Sequence, residues 1–214
     1  MMQKSFLQRW TYCLTQLAVR GIAIILFSLR IFGSENWPRE GGALVCSNHQ
    51  SYFDPVIIGS SCSRRMNYLA RESLFRFFLF GWLIRWYDAI PIQREGMGIG
   101  GLKETMRRLK RGEMVLIFPE GTRTSDGQLQ ELKPGFCTVA RRSRAAIVPL
   151  ALDGAYQAWP KEAAWPRLSA VHISVGLPIT AEEISQLSDE ELEAELAQRI
   201  SACFATVRAS RDVG

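Results

Sequence analysis

Three features of the sequence predict an α/β fold. Short apolar runs at residues 43–47, 114–118 and 146–152 have the length and composition of buried strands. Segments with helical spacing lie between and after them, clearest at 100–111 and 188–208. No repeat, low-complexity tract or second boundary breaks the alternation, and 214 residues suit one domain with a sizeable core. Strands alternating with helices imply a sheet covered by helices, an α/β sandwich.

The composition is that of a globular protein: 47% hydrophobic and 22% charged. The net charge of +5 conceals an asymmetry. Residues 180–200 hold seven acids and one base, Arg199, so that segment carries −6 and the remainder +11. A basic body suits nucleic acid, anionic headgroups or a phosphorylated substrate, and equally a solvated surface with excess charge. The basic clusters at 107–111 and 141–144 lack the interleaved aromatics of a nucleic-acid site, so no nucleic-acid partner is expected. Five scattered cysteines without a CxxC argue against a disulfide framework. With only two histidines they also offer few metal ligands, and reduced thiols facing a cytosol are expected.

Along the chain, residues 1–32 are amphipathic to apolar. The dense run at 21–29 lies between Arg20 and Arg30 and is too short for a simple bilayer span, which needs about 20 apolar residues. Either it packs on the core, or it lies in a membrane interface as a helix or helical pair with its arginines reaching the headgroups. Residues 33–42, with Pro38 and Gly41-Gly42, form a connector. After the strand at 43–47, Asp54-Pro55 reads as a cap and first position of a helix running to about Cys62. Strands are expected at 66–70 and 88–93. Between them, residues 75–87 carry seven aromatics in thirteen, flanked by Arg76 and Arg85, which suits either core or membrane contact. A basic-faced helix is expected at 100–111, a polar loop at 119–134, a short helix at 136–142 and a strand at 171–175. The closing helix has Leu192, Leu196, Ile200 and Phe204 on one face and a capping box at Ser188 and Glu191.

Three motifs carry chemistry. Asn48-His49 ends an apolar run and Asp54 follows five residues later. On a helix these two would lie roughly 140° apart, so they meet only if the chain turns between them. If so, Asp54 accepts from His49 Nδ1–H and Nε2 can take a proton from a hydroxyl. The alternative is a plain helix cap beside a loop histidine. In Phe118-Pro119-Glu120-Gly121-Thr122-Arg123-Thr124, a buried strand empties into a loop with a carboxylate, hydroxyls, a glycine that admits a ligand to the backbone, and an arginine suited to phosphate. In Ile90-Pro91-Ile92-Gln93-Arg94 another strand ends in arginine, a second phosphate donor group or an exposed strand end. Gly96-x-Gly98-x-Gly100-Gly101 satisfies a dinucleotide-binding spacing, but three residues separate it from the strand and misplace the tight turn.

Taken together and in order, Asn48-His49-x4-Asp54, Ile92-Gln93-Arg94, Phe118-Pro119-Glu120-Gly121-Thr122-Arg123 and Ile147-Val148-Pro149-Leu150 resemble the four blocks of the glycerolipid acyltransferase family, of the 1-acyl-glycerol-3-phosphate acyltransferase type. Gln93 stands where that family commonly has an acidic residue. The resemblance implies a glycerol-3-phosphate acyltransferase-like fold: a mixed, largely parallel sheet wrapped by helices. Residues 1–32 would be a membrane-associating segment and 33–214 a single acyltransferase domain. It implies acyl transfer from acyl-CoA or acyl carrier protein, as co-substrate and without a cofactor or metal, to the hydroxyl of a lysophospholipid, first of all 1-acylglycerol 3-phosphate; the alternatives are another lysolipid or lyso-aminolipid as acceptor, or a non-catalytic lipid- or acyl-carrier-binding module on the same scaffold. His49 would be the general base and Asp54 its orienter. Arg94 and Arg123 would hold the phosphate, and Glu120, Gly121 and Thr122 would shape the acceptor pocket. It also implies a monotopic protein contacting membrane lipids on the cytoplasmic face of the inner membrane.

Overall fold

The computed structural model describes residues 6–87, 89–93 and 98–212, leaving aside the side chains of residues 6–9, 79 and 80. Seven strands form one sheet: β1 (Arg30–Phe32), β2 (Ala43–Ser47), β3 (Met66–Arg71), β4 (Ile90–Ile92), β5 (Met114–Ile117), β6 (Ala146–Asp153) and β7 (His172–Val175). Their order is β1-β7-β6-β2-β5-β3-β4. Every pairing is parallel except β6 with β7, so the sheet is mixed and largely parallel. The long helices are α1 (Phe6–Phe27), α2 (Asp54–Ser61), α3 (Phe78–Trp86), α4 (Gly98–Lys110), α5 (Gly135–Ser143) and, after the short α6 (Ala155–Ala158) and α7 (Ala181–Gln186), α8 (Asp189–Asp212).

The apolar runs became central strands because both faces of the sheet are covered. Alternate residues feed two cores. Leu44, Val115, Ile147 and Ala151 point toward α4, α5, α7 and α8, meeting Leu109, Phe136, Ile184, Leu192, Leu196 and Ile200. Val45, Leu116, Val148 and Leu150 point the other way, toward Ala23 of α1, Ile57 and Ile58 of α2, and Ala155 and Ala158 of α6. The predicted capping box at Ser188 and Glu191 starts α8 as expected, and a second one at Thr180 and Glu183 starts α7.

Several expectations change. Of the helix or helical pair expected in residues 1–32, the described residues hold one helix, α1. After Ser28 (φ 44) the chain turns into β1, which pairs with β7, so the sheet begins inside that segment. Three residues of strand carry no periodicity to read. The strand expected at 88–93 is shorter, Ile90–Ile92. Asp54 is the first residue of α2, with Phe53 in the cap position, and its side chain turns back to the preceding loop. Gly98, Gly100 and Gly101 open α4, while Gly96 lies outside the described residues. The aromatic stretch splits by face. Trp86 and Tyr87 bond Thr11 and Thr15 of α1, whereas Phe77, Phe78 and Trp82 are 64%, 88% and 60% exposed.

Candidate active site

β2 lies at the centre of the sheet between β5 and β6, and the carboxyl ends of all three open on one edge. Ligands of open α/β sheets bind outside such ends. Asn48 leaves β2 by pairing sideways. Its amide donates to Leu152 O (2.9 Å) and accepts from Leu152 N–H (2.9 Å), extending the ladder to β6 through a side chain. The chain then turns over residues 49–53 and enters α2, supplying the turn that the five-residue spacing required.

That turn brings His49 and Asp54 together. Asp54 Oδ2 lies 2.7 Å from His49 Nδ1 and also accepts the N–H groups of Gln50 (2.6 Å) and Ser51 (2.7 Å). An oxygen that already takes two N–H donors acts as acceptor, which assigns the imidazole proton to Nδ1 and leaves the Nε2 lone pair free. Asp54 is fully buried and the His49 side chain is 19% exposed, so the pair has one open end, the imidazole. Burial raises the Asp54 pKa above the ordinary carboxylate value, opposed by the bonds from His49, Ser51 and Gln50.

The loop after β5 holds the histidine from behind. The Phe118 ring stacks on the His49 ring at 3.8 Å and 11°, fixing its plane. Glu120 Oε2 accepts His49 N–H (3.0 Å), and Thr124 N–H donates to His49 O (2.8 Å). Both polar backbone groups of His49 are thus bound by the Phe118–Thr124 motif, which explains physically why the two motifs form one unit. Glu120 Oε1 accepts Gln130 N–H (3.2 Å). Glu120 is buried with both oxygens occupied, so it shapes the site from within rather than from its surface. Burial pushes its pKa up to about 7, against the pull of the Gln130 and His49 N–H groups and with a further push from Asp54. Gly121 sits at φ +76, where a side chain would be strained, and its N–H donates to Phe118 O (3.0 Å). That N–H closes a turn, which removes it as a donor for a reaction intermediate. Thr122 is exposed. The Arg123 guanidinium lies 3.5 Å over the Tyr52 ring. Arg94 lies outside the described residues.

Two polar residues with no expected role complete the frame. Gln50, fully buried, donates to Gly127 O (2.9 Å) and Asp153 Oδ1 (3.2 Å) and accepts Tyr156 N–H (3.1 Å). Asp153 ends β6 and pairs with Arg211 of α8 (2.5 Å). The signal for both was a polar residue at the carboxyl end of a buried strand or inside the histidine motif. At the mouth, Phe27, Phe53, Trp159 and Tyr52 form a continuous aromatic wall with ring separations of 4.8–5.4 Å.

A central histidine–aspartate pair at the carboxyl edge of this sheet defines a class. The sequence profile of the family described as Acyltransferase matches residues 28–153, which run from just before β1 to the end of β6 and contain His49, Asp54 and the Phe118–Thr124 loop. The chain belongs to the acyltransferase family. It is 31% identical over 138 residues to a 1-acyl-sn-glycerol-3-phosphate acyltransferase of Bacillus subtilis, covering 64% of this chain and 68% of the relative. It is 30% identical over 193 residues to the protein of that name from Pseudomonas aeruginosa, covering 88% and 72%. Against chloroplastic 1-acyl-sn-glycerol-3-phosphate acyltransferase LPAT1 of Arabidopsis thaliana it is 33% identical, spanning 63% of this chain and 38% of the plant protein. The crystal structure of the 1-acyl-sn-glycerophosphate (LPA) acyltransferase PlsC from Thermotoga maritima has the same fold. Its TM-score is 0.83 at 22% identity, over 96% of this chain and 83% of that one.

Proposed function

We propose that this acyltransferase moves a fatty acyl group from a thioester, acyl-CoA or acyl carrier protein, to the free hydroxyl of 1-acylglycerol 3-phosphate, forming phosphatidic acid. The observation that carries this reading is the 2.7 Å contact of Asp54 with His49 Nδ1, on a loop bound by the segment that presents Arg123. The names of the relatives point to the same acceptor.

His49 Nε2 removes the acceptor hydroxyl proton while the oxygen attacks the thioester carbonyl. The new C–O bond forms, the tetrahedral intermediate collapses, the C–S bond breaks, and the proton passes from His49 to the departing thiolate. Asp54 keeps the imidazole oriented and stabilises the imidazolium. Phe118 holds the ring plane, so the lone pair points one way throughout. Arg123 supplies charge for the phosphate, with Arg94, two residues beyond β4 in the sequence, as the second cation. Gly121 and Thr122 flank that pocket, and Glu120 fixes its floor.

The same reading places the protein flat on the cytoplasmic face of the inner membrane, where soluble thioester donors are found. The helix segment Trp10–Phe27 is long and apolar enough to cross a bilayer by composition, with 11% of it buried. Yet α1 is tied to the body along its length. Tyr12 OH accepts Met66 N–H (3.1 Å), Gln16 donates to Gly59 O (2.7 Å), and Phe27 O accepts Val171 N–H (2.8 Å). Its outward stripe is Trp10, Leu14, Leu17 and Ile24, at spacings of four, three and seven, and each is at least half exposed. Phe78 and Trp82 of α3, the helix that meets α1 through Trp86, are exposed as well, as are Trp165 and Leu168, which follow the aromatic wall in the chain.

The test is acyl transfer on membrane vesicles with a panel of lysolipid acceptors and both donor types. The reading predicts that 1-acylglycerol 3-phosphate is the best acceptor. Preference for another lysolipid would replace the acceptor while leaving acyl transfer intact.

A further inference from the structure

We infer that Tyr52 is a positioning residue that fixes the Arg123 guanidinium for an anionic acceptor, so that selection of a phosphate group depends on the Tyr52 ring. The inference rests on the phosphate reading of the site and assigns a task to a residue which that reading leaves unused.

Tyr52 lies three residues after His49, on the turn that joins the base to Asp54. Its ring is half exposed and is braced by the Trp159 ring at 5.4 Å. That brace is anchored in turn, because Ser51 Oγ donates to Trp159 O (2.9 Å). The Arg123 Cζ stands 3.5 Å from the Tyr52 ring centroid, a close face-on contact. A guanidinium stacked by its face keeps its N–H edges free to grip an anion in the plane. One of those edges is unused: Arg123 Nη1 is buried without a hydrogen-bond partner among the described residues. A buried charged donor left unpaired costs free energy, and a phosphate oxygen from the acceptor would satisfy it. Two independent features therefore meet at one side chain, a stacking platform that fixes its orientation and an unpaired donor that an anion would satisfy.

The backbone next to Arg123 is tied to the backbone of His49, since Thr124 N–H donates to His49 O (2.8 Å). Stacking on Tyr52 thus sets the guanidinium at a defined place relative to the base. Without the ring, a long arginine side chain on an exposed loop samples many rotamers, and the acceptor must order it on binding.

The experiment compares 1-acylglycerol 3-phosphate with 1-acylglycerol, which lacks the phosphate, in the same vesicles. The readout is the ratio of their kcat/KM values for wild type, Tyr52→Phe, Tyr52→Leu, Arg123→Ala and Tyr52→Leu/Arg123→Ala. Wild type should favour the phosphate acceptor. Tyr52→Phe should keep the ratio, because the ring makes the contact. Tyr52→Leu should lower the ratio about three- to thirtyfold, mainly through KM for the phosphate acceptor, the range of a partly desolvated cation–π contact. In the Arg123→Ala background, Tyr52→Leu should lower it no further. A Tyr52→Leu ratio equal to wild type overturns the inference, as does an equal loss on both acceptors or an additional loss without Arg123. If wild type itself shows no preference, the phosphate reading falls before any variant is compared, so the two failures are distinguishable.

Discussion

At the scale of single residues, Glu120 shows how a site residue can be legible by position and not by task. The resemblance marked it as a residue that shapes the acceptor pocket, without saying how. Its two oxygens hold the backbone of His49 and Gln130 inside the protein. Nothing in a one-dimensional string distinguishes a carboxylate turned inward from one turned outward. Its raised pKa has a consequence for stability. The folded protein retains the Glu120 proton up to about pH 7, whereas the unfolded chain releases it near 4.5. The folded state binds the proton more tightly, so Glu120 contributes stability that is fully present below the unfolded value and is lost as pH rises to about 7. Urea unfolding across that window should show wild type losing stability relative to Glu120→Gln as pH increases. A constant offset is also expected, because an amide accepts only one of the two N–H bonds. Parallel stability curves would contradict the assignment.

At the scale of elements, the central strands and long helices were readable because burial on two faces writes continuous apolar runs and helical stripes into the sequence. The short pieces were not. β1 and α6 have three and four residues, too few to show a period, and their place is set by what they pair with. The same holds for the link between β2 and β6 through Asn48. The sequence placed Asn48 beside the histidine, but its work depends on Leu152, 104 residues away. Asn48→Ala should leave the Leu152 N–H and C=O unpaired at the centre of the sheet, costing on the order of 2–4 kcal/mol. Denaturant unfolding measures this, and a loss below about 0.5 kcal/mol would mean that water or a shifted strand replaces the amide. The histidine and glycine-arginine motifs could be named separately from the sequence. That they are zipped together through both polar groups of one peptide backbone required the sheet order, which puts β5 next to β2.

At the scale of the whole molecule, the apolar N-terminal segment divides into a helix docked on α2 and a strand that closes the sheet. Deleting residues 1–32 would therefore remove β1 as well as any anchor. Substituting the outward stripe is the cleaner test: Leu14→Glu, Leu17→Glu and Ile24→Glu combined should shift the protein from the vesicle pellet to the supernatant on sedimentation, with little change in thermal stability. All three are more than half exposed, which is why the fold should tolerate the change. Unaltered sedimentation with vesicles would move the anchor to α3 or to the Trp165 region. Orientation on a bilayer was only half legible in the sequence, because one apolar helix can be core, span or surface. The bonds of Tyr12, Gln16 and Phe27 to the body tie the helix to the sheet domain, an arrangement that no periodicity in the sequence reveals.

The central claim is that His49, oriented by Asp54, takes the acceptor proton. It is tested most directly by the steady-state rate of acyl transfer to 1-acylglycerol 3-phosphate for wild type and His49→Ala at saturating donor and acceptor. Loss of a general base predicts that kcat falls at least about a hundredfold, with folding intact because the imidazole is partly exposed. A folded His49→Ala protein that turns over within a few-fold of wild type would contradict the claim.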